Sequence, residues 1–174
     1  MTNPILIESN PANFSVGRQG HKISRIYFHR TGNAGHDTAI GEANYFHSHV
    51  LKASAGAFID IDGTVVQSVR DSNTEWAVDQ FDENLISYSI EFCGENNTPL
   101  SAKEIAACVA FIKADPLLKA VPLHRLTLAE IKPRKVGGYG CHVDVTNAYK
   151  DPGMSHVDHI SEAEIQAIFK GLAA

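Results

Sequence analysis

Lys22-Ile23-Ser24-Arg25-Ile26-Tyr27-Phe28-His29 reads as a β-strand, because aromatic and β-branched residues dominate it and Thr31-Gly32-Asn33 closes it. Working outward, Asp37-Thr38 supplies an N-cap for a helix running to about Leu51, with Ile40, Ala43, Phe46, Val50 and Leu51 at helical spacing. A hairpin follows: Ala57-Phe58-Ile59-Asp60 and Thr64 to Val69 flank Asp62-Gly63, where glycine tolerates the positive φ of a tight turn. Leu85 to Cys93 reads as another strand, ending near Gly94. Ser101-Ala102-Lys103-Glu104 has the form of a capping box and opens a helix that presents Ile105, Val109 and Ile112 and stops before Pro116. Pro122 to Gly140 reads as loop, with Pro133 and Gly137-Gly138-Tyr139-Gly140. A second capping box, Ser161-Glu162-Ala163-Glu164, opens a final helix over about 161–172 with Ile165, Ile168 and Leu172 inward. Strands interspersed with helices predict an α/β fold, a central mixed β-sheet flanked by helices.

The 174 residues fit a single domain over 1–174, long enough to bury its own core. Cys93, Cys108 and Cys141 are odd in number and include no Cys-x-x-Cys pair, which argues against a disulfide framework or a cysteine-rich zinc knuckle. The start of the chain has no basic segment followed by a long apolar stretch, so no signal peptide is expected, and no apolar run approaches the ~20 residues that span a bilayer. Fifteen basic against twenty acidic residues give a formal charge of -5. Without a basic stripe to neutralise phosphates, nucleic acid is not an expected partner.

Nine histidines are many for this length, and histidine is the commonest metal ligand. His29 ends an otherwise apolar strand, and Glu91 lies in the strand-like Ile86-Ser87-Tyr88-Ser89-Ile90-Glu91-Phe92. A carboxylate there must face a cavity or find a partner. His142 and Asp151 stand nine residues apart, between a glycine-rich approach and an Asp-Pro-Gly turn. Taken singly, each has an ordinary explanation: a core-edge histidine, a glutamate on a wet strand face, an aspartate in a turn.

The order of the segments changes that balance. Ile26-Tyr27-Phe28-His29-Arg30-Thr31 is followed by Ser54-Ala55-Gly56-Ala57-Phe58-Ile59-Asp60-Ile61-Asp62-Gly63-Thr64-Val65-Val66-Gln67. Trp76 comes next, then Tyr88-Ser89-Ile90-Glu91-Phe92-Cys93-Gly94, and finally Cys141-His142-Val143-Asp144-Val145-Thr146 with Asp151-Pro152-Gly153. In these pieces, over about residues 23–153, the chain resembles the zinc amidases of the N-acetylmuramoyl-L-alanine amidase type 2 family, which includes the peptidoglycan recognition proteins. The resemblance implies that His29, His142 and Asp151 hold one zinc ion, with the open fourth position a catalytic site requires. It implies Glu91 as general base and makes Lys150 the candidate for stabilising the oxyanion. The chain departs from the family pattern in places. Arg30 stands where many members carry a second histidine. Ala55 and Gly56 stand where a tyrosine or histidine is common. Lys150 is adjacent to Asp151 rather than two residues before it, the position that Tyr149 fills.

Of the other histidines, His47 and His49 are expected in solvent, and His124 either lines a groove or is exposed. His156 and His159 would form a metal pair only if helical. Trp76 reads either as the rim of a groove or as core. What the resemblance implies is hydrolysis of the amide between the lactyl group of N-acetylmuramic acid and L-alanine in bacterial peptidoglycan; since nothing in the sequence suggests an obligate partner or a membrane span, a monomer that does not insert into a membrane is expected. Its expected setting is a phage or prophage endolysin that waits in the host bacterial cytoplasm until a holin-type hole admits it to the wall. A cell-wall-recycling amidase, an antibacterial effector and a non-catalytic peptidoglycan-binding module are the alternatives.

Overall fold

The aromatic and β-branched stretches do form strands, and their pairing brings distant parts of the chain together. The computed structural model describes residues 4–33, 37–96, 98–150 and 160–174. Its strands are β1 (Ile5–Leu6), β2 (Phe14–Ser15), β3 (Arg25–Arg30), β4 (Ala57–Ile59), β5 (Val65–Gln67), β6 (Thr74–Glu75), β7 (Ser87–Phe92) and β8 (Gly138–Cys141). Its helices are α1 (Ala39–Ser48), α2 (Phe81–Asn84), α3 (Ala102–Ala114), α4 (Pro116–Lys119), α5 (Leu128–Ile131), α6 (His142–Tyr149) and α7 (Glu162–Ala173). One mixed six-stranded sheet has the order β1-β5-β4-β7-β3-β8, and β2 pairs with β6 in a small antiparallel ribbon. The four strands β4, β7, β3 and β8 run parallel, while the Asp62-Gly63 hairpin makes β5 antiparallel to β4.

All six residues of β3 are buried, as expected of a central parallel strand covered on both faces. Alternation divides its side chains. Ile26 and Phe28 join Ile90, Phe92, Phe111, Ile112, Ile165 and Ile168 in the main core beneath α3 and α7. Tyr27 points the other way, into a smaller cluster with Val78, Leu126, Ile131 and Val145. Both expected capping boxes form, Ser101 with Glu104 on α3 and Ser161 with Glu164 on α7.

Arg25 is fully buried, yet its charge is met. It pairs with Glu83 at 2.8 Å and donates to the carbonyls of Glu130, Ile131 and Val136. Such a charge left alone in the core would destabilise by several kcal/mol, on the order of 3–5. Glu83 also accepts from the hydroxyls of Tyr27 and Tyr149, which ties β3 and α6 to α2.

The structure corrects two of the sequence expectations. The stretch 122–140 is not loop throughout: it contains α5, and Gly138 to Gly140 enter β8. The residues from His142 form helix α6, for which the sequence reading named no element. Glycine-rich β8 lacks the β-branched signature because space forbids side chains at Gly138 and Gly140. A Cβ on Gly138 would meet the His124 carbonyl at 2.4 Å, and one on Gly140 would meet the Tyr27 ring at 2.8 Å. Finally, α1 ends at Ser48 instead of near Leu51, and it buries Ala39 and Ala43 while Ile40 and Val50 are exposed.

Candidate active site

Three neighbouring parallel strands end at one place. In the ladder between β3 and β7, His29 stands directly opposite Glu91. Directly opposed residues project from the same sheet face, so imidazole and carboxylate emerge side by side. Their nearest polar atoms, His29 Nδ1 and Glu91 Oε1, are 3.8 Å apart. On the other side of β3, Phe28 pairs with Cys141, so His142 starts α6 one step beyond, level with His29. The two imidazole rings lie 5.0 Å apart between centres. His29 is 1% exposed and His142 6%, whereas the side chain of Glu91 keeps 20% of its surface open.

The start of α6 is fastened from below. Asp144 accepts from the Cys141 backbone N–H and from Arg125, both at 2.7 Å, and Arg125 reaches on to Glu162 of α7. This sets the angle at which His142 leaves the sheet.

The site opens into a cleft of about 570 Å³. His29, Glu91 and His142 form its floor. Tyr45 and Glu42 of α1 contribute on one side, and Trp76, Asp79 and Phe81 come from the segment between β6 and α2. Trp76 therefore belongs to the cleft, with its indole N–H donating to Ser15. Burial pushes the Glu42 carboxyl above its usual range, opposed by a hydrogen bond from Asn33. Burial, with help from Asp37, Asp60, Glu42 and Glu91, pushes the Cys93 thiol far up and so disfavours its thiolate.

Of the expected site residues, His29, Glu91 and His142 converge. Asp151 lies outside the described residues, as do His156 and His159. Lys150 is exposed at the end of α6 in a left-handed conformation (φ 54°) and is not among the described residues lining the cleft. His47 and His49 are exposed, and His124 pairs with Glu130 at 3.1 Å outside the cleft. Ala55 is buried, and Gly56 is held against the Tyr88 ring, where a Cβ would come within 2.4 Å. Phe58 is what that hairpin contributes to the cleft.

Sequence reasoning missed Asp79, whose Oδ2 lies 3.3 Å from His142 Nε2. A lone aspartate after Val78 in an irregular segment carries no periodicity or motif that would have drawn attention to it. Glu42 also lines the cleft, from the first turn of α1, where an acidic residue is ordinary and drew no attention.

The pair of imidazoles has the spacing of a metal seat. Two histidines bound at ~2.0–2.1 Å to a tetrahedral ion have ring centres about 5 Å apart, which matches the observed spacing. Imidazole nitrogens are ligands suited to zinc, and both histidines line the cleft. Among the described residues, no group of three His, Cys, Asp or Glu gathers tightly enough to share one ion.

A mixed sheet with polar groups at the carboxyl ends of parallel strands, facing an open cleft, defines an α/β enzyme. The profile of the N-acetylmuramoyl-L-alanine amidase family matches residues 19–153, and the chain belongs to that family of enzymes. Solved structures agree on the fold. The Staphylococcus aureus hydrolase AmiA, solved with its ligand, has a TM-score of 0.68 at 16% identity, over 99% of this chain and 84% of that one. A mutant endolysin from Bacillus subtilis has a TM-score of 0.62 at 20% identity, over 99% of both chains. AmpD has a TM-score of 0.63 at 18% identity, over 97% of this chain and 95% of that one. A search of curated protein sequences gave no significant match.

Proposed function

We propose that this chain is a zinc-dependent amidase that cleaves the amide between the lactyl group of N-acetylmuramic acid and L-alanine in bacterial peptidoglycan. The observation that carries the reading is the meeting of His29, Glu91 and His142 at the ends of three adjacent strands, open to one cleft. Membership of the amidase family supplies the reaction class.

In this reading His29 and His142 hold the ion with Asp151, which follows α6 by one residue beyond Lys150. Bound zinc would lower the pKa of a coordinated water to ~7 and polarise the scissile carbonyl. Glu91 accepts the proton of the attacking water and returns it to the departing nitrogen. The water oxygen forms the new bond to the lactyl carbonyl carbon, the C–N bond breaks, and L-alanine leaves with a free amine. The partial exposure of Glu91 lets water and substrate reach its carboxylate. Lys150 remains the proposed oxyanion cation on the strength of its place beside Asp151. Trp76, Tyr45 and Phe81 offer the cleft aromatic surface for a glycan–peptide chain. The proposed setting is a phage or prophage endolysin, supported by likeness in fold to the Bacillus subtilis endolysin.

Digestion of purified peptidoglycan, followed by measurement of new N-terminal alanine, tests the proposal. The expected result is alanine release that a chelator abolishes and added zinc restores. Tight wall binding with intact glycan–peptide linkages would replace the enzyme with a binding module.

A further inference from the structure

We infer that Asp79 is a positioning residue: it accepts a hydrogen bond from Nε2–H of His142, fixes that tautomer, and leaves Nδ1 as the nitrogen for the ion. The inference rests on the zinc reading above. Asp79 Oδ2 and His142 Nε2 are 3.3 Å apart, and both residues line the cleft. An imidazole that gives one nitrogen to a metal is oriented, and made a better ligand, when the other N–H donates to a carboxylate.

The carboxylate is delivered by a fixed segment. The Trp76 N–H donates to Ser54 Oγ at 3.0 Å. Asn84 then clamps the next two residues, accepting from the N–H groups of Ala77 and Val78 and donating to the Val78 carbonyl at 2.7 Å. Asp79 follows that clamp directly, so its reach to His142 is set by backbone geometry. In the proposed ligand set of His29, His142 and Asp151, Asp79 stands outside the ion's own shell and acts through His142. Its side chain is 39% exposed while that of His142 is 8% exposed, so the carboxylate bridges solvent and a buried ring.

Two readouts on the full chain test this without an activity assay. The first is the imidazole ¹⁵N signature of His142 in zinc-free protein, expected to show a protonated Nε2 that becomes mixed in Asp79→Ala. The second is the zinc dissociation constant from chelator competition. Asp79→Ala is expected to weaken it roughly 10–100-fold. Asp79→Asn, whose amide oxygen still accepts, is expected to recover most of that loss. Melting of the zinc-free variants should match wild type, which excludes a general packing defect. A protonated Nδ1 in the zinc-free wild type, or unchanged zinc affinity in Asp79→Ala, would overturn the inference. Were the wild type to take up no zinc, the proposed function would fall, and the tautomer alone would decide for or against the hold of Asp79 on His142.

Discussion

Glu91 and His29 occupy opposing places in one ladder, so the backbone fixes their separation before any side chain chooses a rotamer. Replacing the carboxylate by an amide keeps the shape and removes the proton acceptor. Glu91→Gln is therefore expected to lower kcat on peptidoglycan by about 10²–10⁴. Its zinc affinity should stay within a few-fold of wild type, because Glu91 is not a proposed ligand. Parallel turnover and chelator-competition measurements check both halves, and full activity would remove Glu91 from the mechanism. Lys150 presents a different residue-scale question. Its φ of 54° lies in the left-handed region that disfavours a side chain by roughly 1–2 kcal/mol. Lys150→Gly should raise stability by up to about 1 kcal/mol, since glycine is favoured just past a helix end but loses more entropy on folding. A cation that serves the oxyanion predicts that kcat falls in this variant while Lys150→Arg retains activity. Unchanged kcat in the glycine variant would take Lys150 out of the chemistry.

Helix α7 shows how an element is held in place by its first turn. Ser161 Oγ accepts from the Glu164 N–H, while the Glu164 carboxylate accepts from the N–H groups of Ser161 and of Leu100 before α3. The box therefore starts one helix and ties it to the approach of another. Burial opposes ionisation of Glu164, but the hydrogen bonds from Ser161 and Leu100 win and hold its carboxyl below the usual range. A depressed folded-state pKa contributes stability above the unfolded value of about 4.3, and that contribution is lost as pH falls through the folded value. Glu164→Gln should consequently cost stability at pH 7, and the gap from wild type should narrow towards pH 3. Denaturant unfolding at both pH values measures this, and a gap independent of pH would show that the carboxylate charge is not what the box uses.

At the scale of the whole molecule, the cores beneath α3 and α7 and around Tyr27 are built without His29, Glu91 or His142. The proposed ion is thus an addition to a finished fold. A ligand at 100 times its Kd adds about 2.7 kcal/mol, which for a chain of this size is a melting shift of about 5–10 °C. Chelation is expected to lower Tm by that amount and to leave the far-ultraviolet circular dichroism unchanged. Loss of helical signal on chelation would instead mark the ion as structural. The Arg25–Glu83 pair belongs to the same scale, since it joins β3, α2, α5 and, through Tyr149, α6 around one buried charge.

Much of this was legible in the chain itself. Local chemistry is enough to place a hairpin at Asp62-Gly63, strands at Tyr27 and Ile90, and caps at Ser101 and Ser161, because each depends on residues a few positions apart. The ordered segments carrying His29, Glu91 and His142 were legible too, as a family resemblance. Tertiary structure alone decided that β7 and β8 flank β3, which brings together, at one end of the sheet, groups separated by 62 and 51 positions. It also decided that glycine-rich 138–141 is a strand, since the room for β8 is defined by Tyr27 and the His124 carbonyl and not by its own propensity. Asp79 gained its meaning in the same way: nothing near it in the chain marks it out, and only folding sets its carboxylate against His142.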